Sequence, residues 1–260
     1  MTKMSSDSDE YKNKKAFFNS LLTVYGRKPV LEALQANAIQ PIRLHLSQRN
    51  RSASIIDQII ELAAGMGTEV CYHSPEALAR ISKNARQDQG VALDLRCPNF
   101  QSLEEFLEAP RASNCVIALD RITNPQNLGM IIRSVTASTA SALLVPRKGC
   151  APLNSLVIKA SAGTLFRAPI VQTGDLVETL MNCRKAGFQI ASLALNAAES
   201  ALEFQAKAPT IFVLGNETDG ISNEISELCD VSLRIPMERG VESLNVAVTA
   251  ALIAFTASKD

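Results

Sequence analysis

Short apolar runs alternate with longer segments of helical period along this chain. Runs of roughly four to eight apolar residues bounded by turn residues read as buried strands, and longer amphipathic stretches read as helices. Arg27 to Gln35 reads as helix, with Pro29 tolerated in the first turn. Ile42 to Leu46 reads as strand, Ser54 to Gly65 as amphipathic helix, Glu69 to Tyr72 as strand and Val91 to Leu95 as strand. Ser74-Pro75-Glu76 has the form of a helix start, with serine as N-cap and proline at the first helical position. Cys97-Pro98 opens a connection that holds a short helix, Leu103 to Leu107, and ends near Pro110 to Asn114.

Beyond that connection the strands are Val116 to Leu119, Ala142 to Val145, Pro169 to Val171, Phe188 to Leu195, Ile211 to Leu214 and Val231 to Ile235. Helical stretches such as Asp175 to Lys185 lie between most of them. That alternation predicts an α/β fold with a mostly parallel sheet covered on both faces. The chain divides into a mobile polar tail (1–20), a small α/β unit (21–96), a connection (97–113) and a large α/β unit (114–260). A length of 260 residues accommodates two such units.

Composition narrows the class. Hydrophobic residues make up 47% of the chain, enough for well-buried cores. Lys plus Arg equals Asp plus Glu at 26 each, which is not the balance of a non-specific nucleic-acid binder. A local basic patch remains compatible with zero net charge. The six cysteines form no C-x-x-C pair, and His45 and His73 are the only histidines, so no metal site is expected. Free thiols fit a reducing cytoplasm, and no membrane span is expected. The longest apolar run, Val246 to Phe255, is too short to cross a bilayer.

Three polar corners follow apolar strands in the large unit. They are Asn127 to Arg133, Gly215 to Ser222 and Ile235 to Asn245. Strand-to-helix corners of an open α/β sheet face one edge, where ligands bind. At the first, Asn127 suits a helix N-cap with helix beginning near Leu128, Gly129 permits close approach, and Arg133 can point back at an anion. At the second, Gly215 and Gly220 flank Glu217 and Asp219. At the third, Pro236 ends a strand, and Ser243 or Asn245 caps a helix apolar on nearly every side. Such a helix must be covered by the sheet on one side and a partner subunit on the other. Each corner alone is also ordinary cap and turn chemistry; it is their shared edge that makes a pocket. No G-x-G-x-x-G follows the first strand of the large unit, and no Walker A sequence is present. Both histidines lie in the small unit, which disfavours a Ser-His-Asp triad.

In order and spacing the three corners resemble the three motifs of the SpoU/TrmH family of RNA methyltransferases. Val24-Tyr-Gly-Arg-Lys-Pro-Val-Leu-Glu-Ala-Leu34 and Gln87-Asp-Gln-Gly-Val-Ala92 resemble the start and end of that family's substrate-binding domain. The resemblance spans about Val24 to Phe255 and is closest to bacterial enzymes that methylate the 2′-hydroxyl of a guanosine in large-subunit ribosomal RNA. It implies a C-terminal deep trefoil knot, S-adenosyl-L-methionine as cofactor, RNA as partner and a homodimer. It assigns the cofactor to Gly215, Ile235 and Leu244, with Leu214, Met237 and Asn245 nearby. It assigns the chemistry to Arg133, supported by Asn127, Glu217, Ser243 and Asn245, with Asn127 orienting Arg133 or the ribose. One departure is Asp88-Gln89-Gly90, where the family commonly has His-Gln-Gly; it puts an acid where RNA would approach. Methylation of transfer RNA, a non-catalytic RNA-binding ribosome assembly factor and a small-molecule methyltransferase are the competing readings.

Overall fold

The computed structural model describes residues 21–36, 38–51, 53–109 and 113–257. The polar tail expected at 1–20 lies outside the described residues, as do residues 110–112 of the connection. Two compact units result, divided between Pro98 and Asn99.

The small unit begins with β1 (Leu22–Tyr25), α1 (Arg27–Gln35), β2 (Gln40–Ser47) and α2 (Ser54–Gly65). It continues with β3 (Glu69–His73), α3 (Pro75–Ser82) and β4 (Val91–Arg96). Its sheet runs β1-β4-β2-β3, with only the β2–β3 pair parallel. Strand β1 escaped the periodicity reading because four residues carry too little pattern; its pairing with β4 makes it a strand. Alternation separates the two faces of this sheet. Val24, Leu44, Leu46, Leu93 and Leu95 are buried together on one face. Tyr25 and Ala92 on the other pack against Leu78 and Ile81 around α3. Ser74 caps α3 through its side chain, ahead of Pro75, as its sequence indicates.

Asp88 corrects an expectation. It is buried, not presented to a ligand. Its carboxylate accepts hydrogen bonds from Ser82 Oγ at 3.0 Å and the Gly90 amide at 2.9 Å. The acid braces a turn in which Gln89 and Gly90 both have positive φ.

The large unit contains α4 (Leu103–Glu108), β5 (Cys115–Leu119), α5 (Pro125–Thr136), β6 (Ala142–Pro146) and α6 (Ser155–Ala160). A 3-10 turn (Thr164–Arg167), β7 (Ile170–Thr173), α7 (Leu176–Lys185), β8 (Gln189–Leu193) and β9 (Glu199–Ser200) follow. Then come β10 (Thr210–Leu214), α8 (Asn223–Ser226), β11 (Val231–Arg234) and α9 (Val246–Thr256). The seven strands are all parallel, in the order β7-β6-β5-β10-β8-β11-β9. The core strands β5 and β10 are buried at every residue, as expected of a sheet covered on both faces. The chain leaves β5 toward β6 and leaves β10 toward β11, so strand order reverses between these neighbours. That reversal is where open α/β sheets form a ligand crevice.

The first corner is built differently from its sequence reading. Helix α5 starts at Pro125, and its N-cap is Asn124, whose side chain accepts from the amides of Gln126 and Asn127. Asn-Pro is the same cap-then-proline signal seen at Ser74-Pro75. Asn127 therefore sits inside the first turn, buried, with its carboxamide released from capping. Gly129 admits neither ligand nor a second chain but the neighbouring helix. A Cβ there would stand 2.4 Å from Ala160 Cβ and 2.8 Å from the Val157 carbonyl of α6. Helix α9 packs against α5, β5 and β10. Its apolar periphery is covered on that side alone: Val248 and Phe255 are 48% and 49% exposed. No helix among the described residues is long and apolar enough to cross a membrane.

Replacing Gly129 with valine must push α5 and α6 apart. A destabilisation of about 1–3 kcal/mol is expected, read as a lowered denaturant midpoint at unchanged slope.

Candidate active site

The strand ends of β8, β10 and β11 enclose a cavity of about 260 Å³. Leu193, Ala194 and Leu195 line it from β8, and Leu214, Gly215, Asn216, Glu217 and Gly220 from β10. Ile235, Met237, Glu242, Ser243 and Leu244 line it beyond β11, with Val246 and Thr249 of α9. Most of this wall is apolar, with two carboxylates, an amide and two hydroxyls at its polar points.

The second corner is folded back on itself. Asn216 and Gly220 exchange backbone hydrogen bonds of 3.1 and 2.9 Å. The Asn216 side chain accepts from the amides of Thr218 at 2.7 Å and Asp219 at 3.2 Å. Gly215 makes this fold possible. A Cβ on it would stand 2.1 Å from the Gly220 carbonyl carbon and 2.3 Å from the Ile221 amide nitrogen. Backbone cannot yield at such distances, so the position demands glycine.

Two residues that sequence reasoning passed over clamp this loop. Asp120 is buried at the end of β5, and its carboxylate accepts from the Ser222 amide at 2.7 Å. Arg121, in a left-handed conformation, donates to the Gly220 carbonyl at 3.0 Å and to Asp120 at 3.3 Å. An acid at the carboxyl end of the apolar run Val116 to Leu119 was the available signal. Leu193 to Leu195 were also missed as lining; they read only as strand.

A hydrogen-bond chain joins all three corners. Asn127 Nδ2 donates to Glu217 Oε1, and Asn245 Nδ2 donates to Asn127 Oδ1 at 3.1 Å. Asn245 also caps α9, accepting from the Ala247 amide at 2.9 Å. The carboxamide of Asn127 is thus spent on the other two corners, not on Arg133. Glu217 holds a side-chain donor. Gly215, Leu214, Ile235, Met237, Leu244, Glu217 and Ser243 share the cavity wall. Asn127 and Asn245 stand behind that wall. Arg133 is exposed on α5 and is not part of the lining, and its side chain makes no hydrogen bond or ion pair with the described residues.

Comparison with known proteins bears on both units. Residues 114–255 match the description SpoU rRNA Methylase family, and residues 23–101 match RNA 2′-O ribose methyltransferase substrate binding. An uncharacterized tRNA/rRNA methyltransferase of Mycolicibacterium smegmatis is 30% identical over 233 residues, covering 88% of this chain and 74% of its own. The SpoU methyltransferase AviRb of Streptomyces viridochromogenes, solved in complex with the cofactor AdoMet, is similar with a TM-score of 0.64 and 26% identity. That match covers 92% of this chain and 89% of the other. An AdoMet-bound rRNA methyltransferase of Sinorhizobium meliloti matches with a TM-score of 0.66 over 94% and 89% of the two chains; at 22% identity it bears on fold alone.

The clamp has a measurable consequence. Asp120→Ala leaves the Ser222 amide without its acceptor. Hydrogen exchange across residues 216–222 is expected to rise roughly tenfold, while β5 amides stay protected. Unchanged exchange in the loop would mean that Asp120 does not hold it.

Proposed function

The chain belongs to the SpoU rRNA methylase family, and on that premise we propose that it methylates the 2′-hydroxyl of a guanosine in large-subunit ribosomal RNA. S-adenosylmethionine is its cofactor in this reading, held in the cavity beyond β8, β10 and β11. The observation that carries the proposal is that the second and third corners line one cavity, and that the first is tied to both through Asn127, which bonds Glu217 and Asn245. The wall suits the cofactor chemically. Leu195, Leu214, Ile235 and Leu244 offer apolar contact to a flat base. Glu217 and Glu242 offer carboxylates to a molecule bearing ammonium and sulfonium charges. When bound, that cofactor supplies an activated methyl group on sulfur.

The chain's own task is alignment and proton management. Holding nucleophile and methyl carbon in line is worth up to about 7–11 kcal/mol in favourable cases. Glu217, fixed by Asn127, and Ser243 shape the nucleotide side of the cavity. Arg133 steadies the developing alkoxide and grips the adjacent phosphate, while the proton leaves to that phosphate or to water. A guanidinium is a fork of donors and does not serve well as a base. Because Arg133 is exposed and outside the cavity lining of its own chain, we assign it to the cavity of a second copy. The half-exposed apolar face of α9 supports such a homodimer. We further assign the segment from β10 to α9 to a deep trefoil knot; the insertion of β10 between β5 and β8 supports this. Residues 21–96 deliver RNA, residues 114–260 carry catalysis, and the setting is cytoplasmic. Transfer RNA is the second reading, favoured by the dual tRNA/rRNA name of the mycobacterial relative.

Incubation with methyl-labelled cofactor and unmodified transcripts of both RNAs, followed by alkaline hydrolysis, decides between them. Label in an alkali-resistant guanosine dinucleotide of ribosomal RNA is expected. Label in transfer RNA alone transfers the assignment, and cofactor binding in calorimetry without methylation of either overturns it. Arg133→Lys is expected to lower turnover by about 10²-fold or more with unchanged cofactor affinity, since the planar fork is lost.

A further inference from the structure

The polar face of the small unit's sheet carries a row of coupled side chains that the methyl-transfer site does not use. Thr23 on β1, Asp94 on β4, Arg43 and His45 on β2, and Glu69, Cys71 and His73 on β3 share this face by strand register and period-two alternation. Thr23 Oγ1 donates to Asp94 Oδ1 at 2.7 Å. The other carboxylate oxygen, Oδ2, lies 3.2 Å from His45 Nε2, and His45 Nδ1 lies 2.9 Å from His73 Nε2. His45 is buried, whereas His73 is half-buried on the edge strand. His73 Nδ1 has no hydrogen-bond partner among the described residues. Both histidines of the chain are therefore committed to one relay.

The relay's proton order follows from its anchor. An ionised carboxylate only accepts, so His45 Nε2 carries hydrogen. A neutral His45 then accepts at Nδ1, so His73 Nε2 carries hydrogen and its Nδ1 is a bare acceptor. One added proton makes His73 Nδ1 a donor. Burial works to raise the Asp94 carboxyl, yet hydrogen bonds from His45 and Thr23 hold it below the usual range. Burial, then any positive charge on the neighbouring His45 and the charge of Arg43, push the His73 imidazole below its ordinary value. The acceptor form accordingly prevails at neutral pH. Around it stand Arg43 from β2, Glu69 and Cys71 from β3, and Asp94 from β4. The helices packed on β3 bring Glu76 and Arg80, and Asp57 and Glu61.

Beside the relay Arg43 and Glu69 pair with each other. The bare Nδ1 of His73 suits the amino and imino donors of an unpaired base, the edges by which single-stranded RNA is read. We propose that His73, backed by His45 and Asp94, is a nucleobase-reading group of the small unit, and that RNA binding is lost when the relay takes up a proton. This rests on the assignment of RNA as substrate and names a recognition point within it.

The test uses the full chain and a fluorescent transcript of large-subunit ribosomal RNA, titrated from about pH 8 to about pH 5.5. Wild-type affinity is expected to fall severalfold across that range, with about tenfold, one hydrogen bond's worth, as the limit. The direction discriminates, because unspecific charge attraction would strengthen binding as pH falls. His73→Phe is expected to bind about tenfold more weakly at the alkaline end and to show no fall. His73→Asn places an amide oxygen near the lost Nδ1; it is expected to keep the alkaline affinity and lose the pH dependence. Wild-type binding that is flat or tightens with acid, or equal affinity of the Phe and Asn variants, overturns the proposal. A transcript that neither binds nor is methylated overturns the ribosomal RNA assignment and this recognition point with it. Methylation with unaltered binding by His73→Phe removes His73 alone.

Discussion

One buried carboxamide decides whether the three corners make a site. Asn127 gives its nitrogen's hydrogen to Glu217 and takes one from Asn245, so a residue of the first corner holds a residue of each of the others. Each corner separately is a turn that caps a helix, and turns at a sheet edge are free to drift. Buried polar groups strongly prefer to be paired, and losing one partner costs far more than the bond contributes net. Asn127 therefore fixes the distance between loops that sequence separates by about a hundred residues. It can do so only because Asn124 relieves it of capping α5.

Around that tie the backbone is packed to contact. Gly215 lies under the Gly220 carbonyl with no room for a methyl group, and Asp120 and Arg121 seize the same loop from the far side. The cavity wall is held by main-chain geometry more than by its side chains. The small unit works the other way. Its apolar face is an ordinary core, while its polar face spends side chains on one another, from Thr23 through Asp94 and His45 to His73.

Much of this was legible in the residues. Strand and helix positions followed from period and turn chemistry, and α2 was bounded at both ends by its own pattern. The three corners stood out by order and spacing, and the resemblance they carry named Leu214, Gly215, Ile235, Met237 and Leu244, which line the cavity from β10 and β11. What stayed hidden has a common cause. Asn127 as a tie, Asp120 as a clamp and the His45–His73 pair depend on which strands lie side by side, and strand order is a property of the whole chain. Gly129 showed that closeness was needed without showing to what; α6 supplied the answer. Asp88 looked like a surface acid because burial of a short turn leaves no local pattern. The Asn124 cap was legible and was passed over in favour of the next asparagine.

Strand order also dictates timing. Strand β10 fills the middle of the sheet between β5 and β8, yet it is made after both. Until residues 210–214 exist, β5 and β8 each present an unpaired edge in the heart of the large unit, and non-local pairings of this kind close slowly. The small unit repeats the pattern on a shorter scale: β4, made last, fills the place between β1 and β2, and the unit is complete by residue 98. Asn245 comes later still, so a chain interrupted before it can join the first corner to the second but not the third to either. Ability to hold a ligand at this edge is thus acquired late: a chain that stops short of α9 lacks Val246 and Thr249 of the cavity wall.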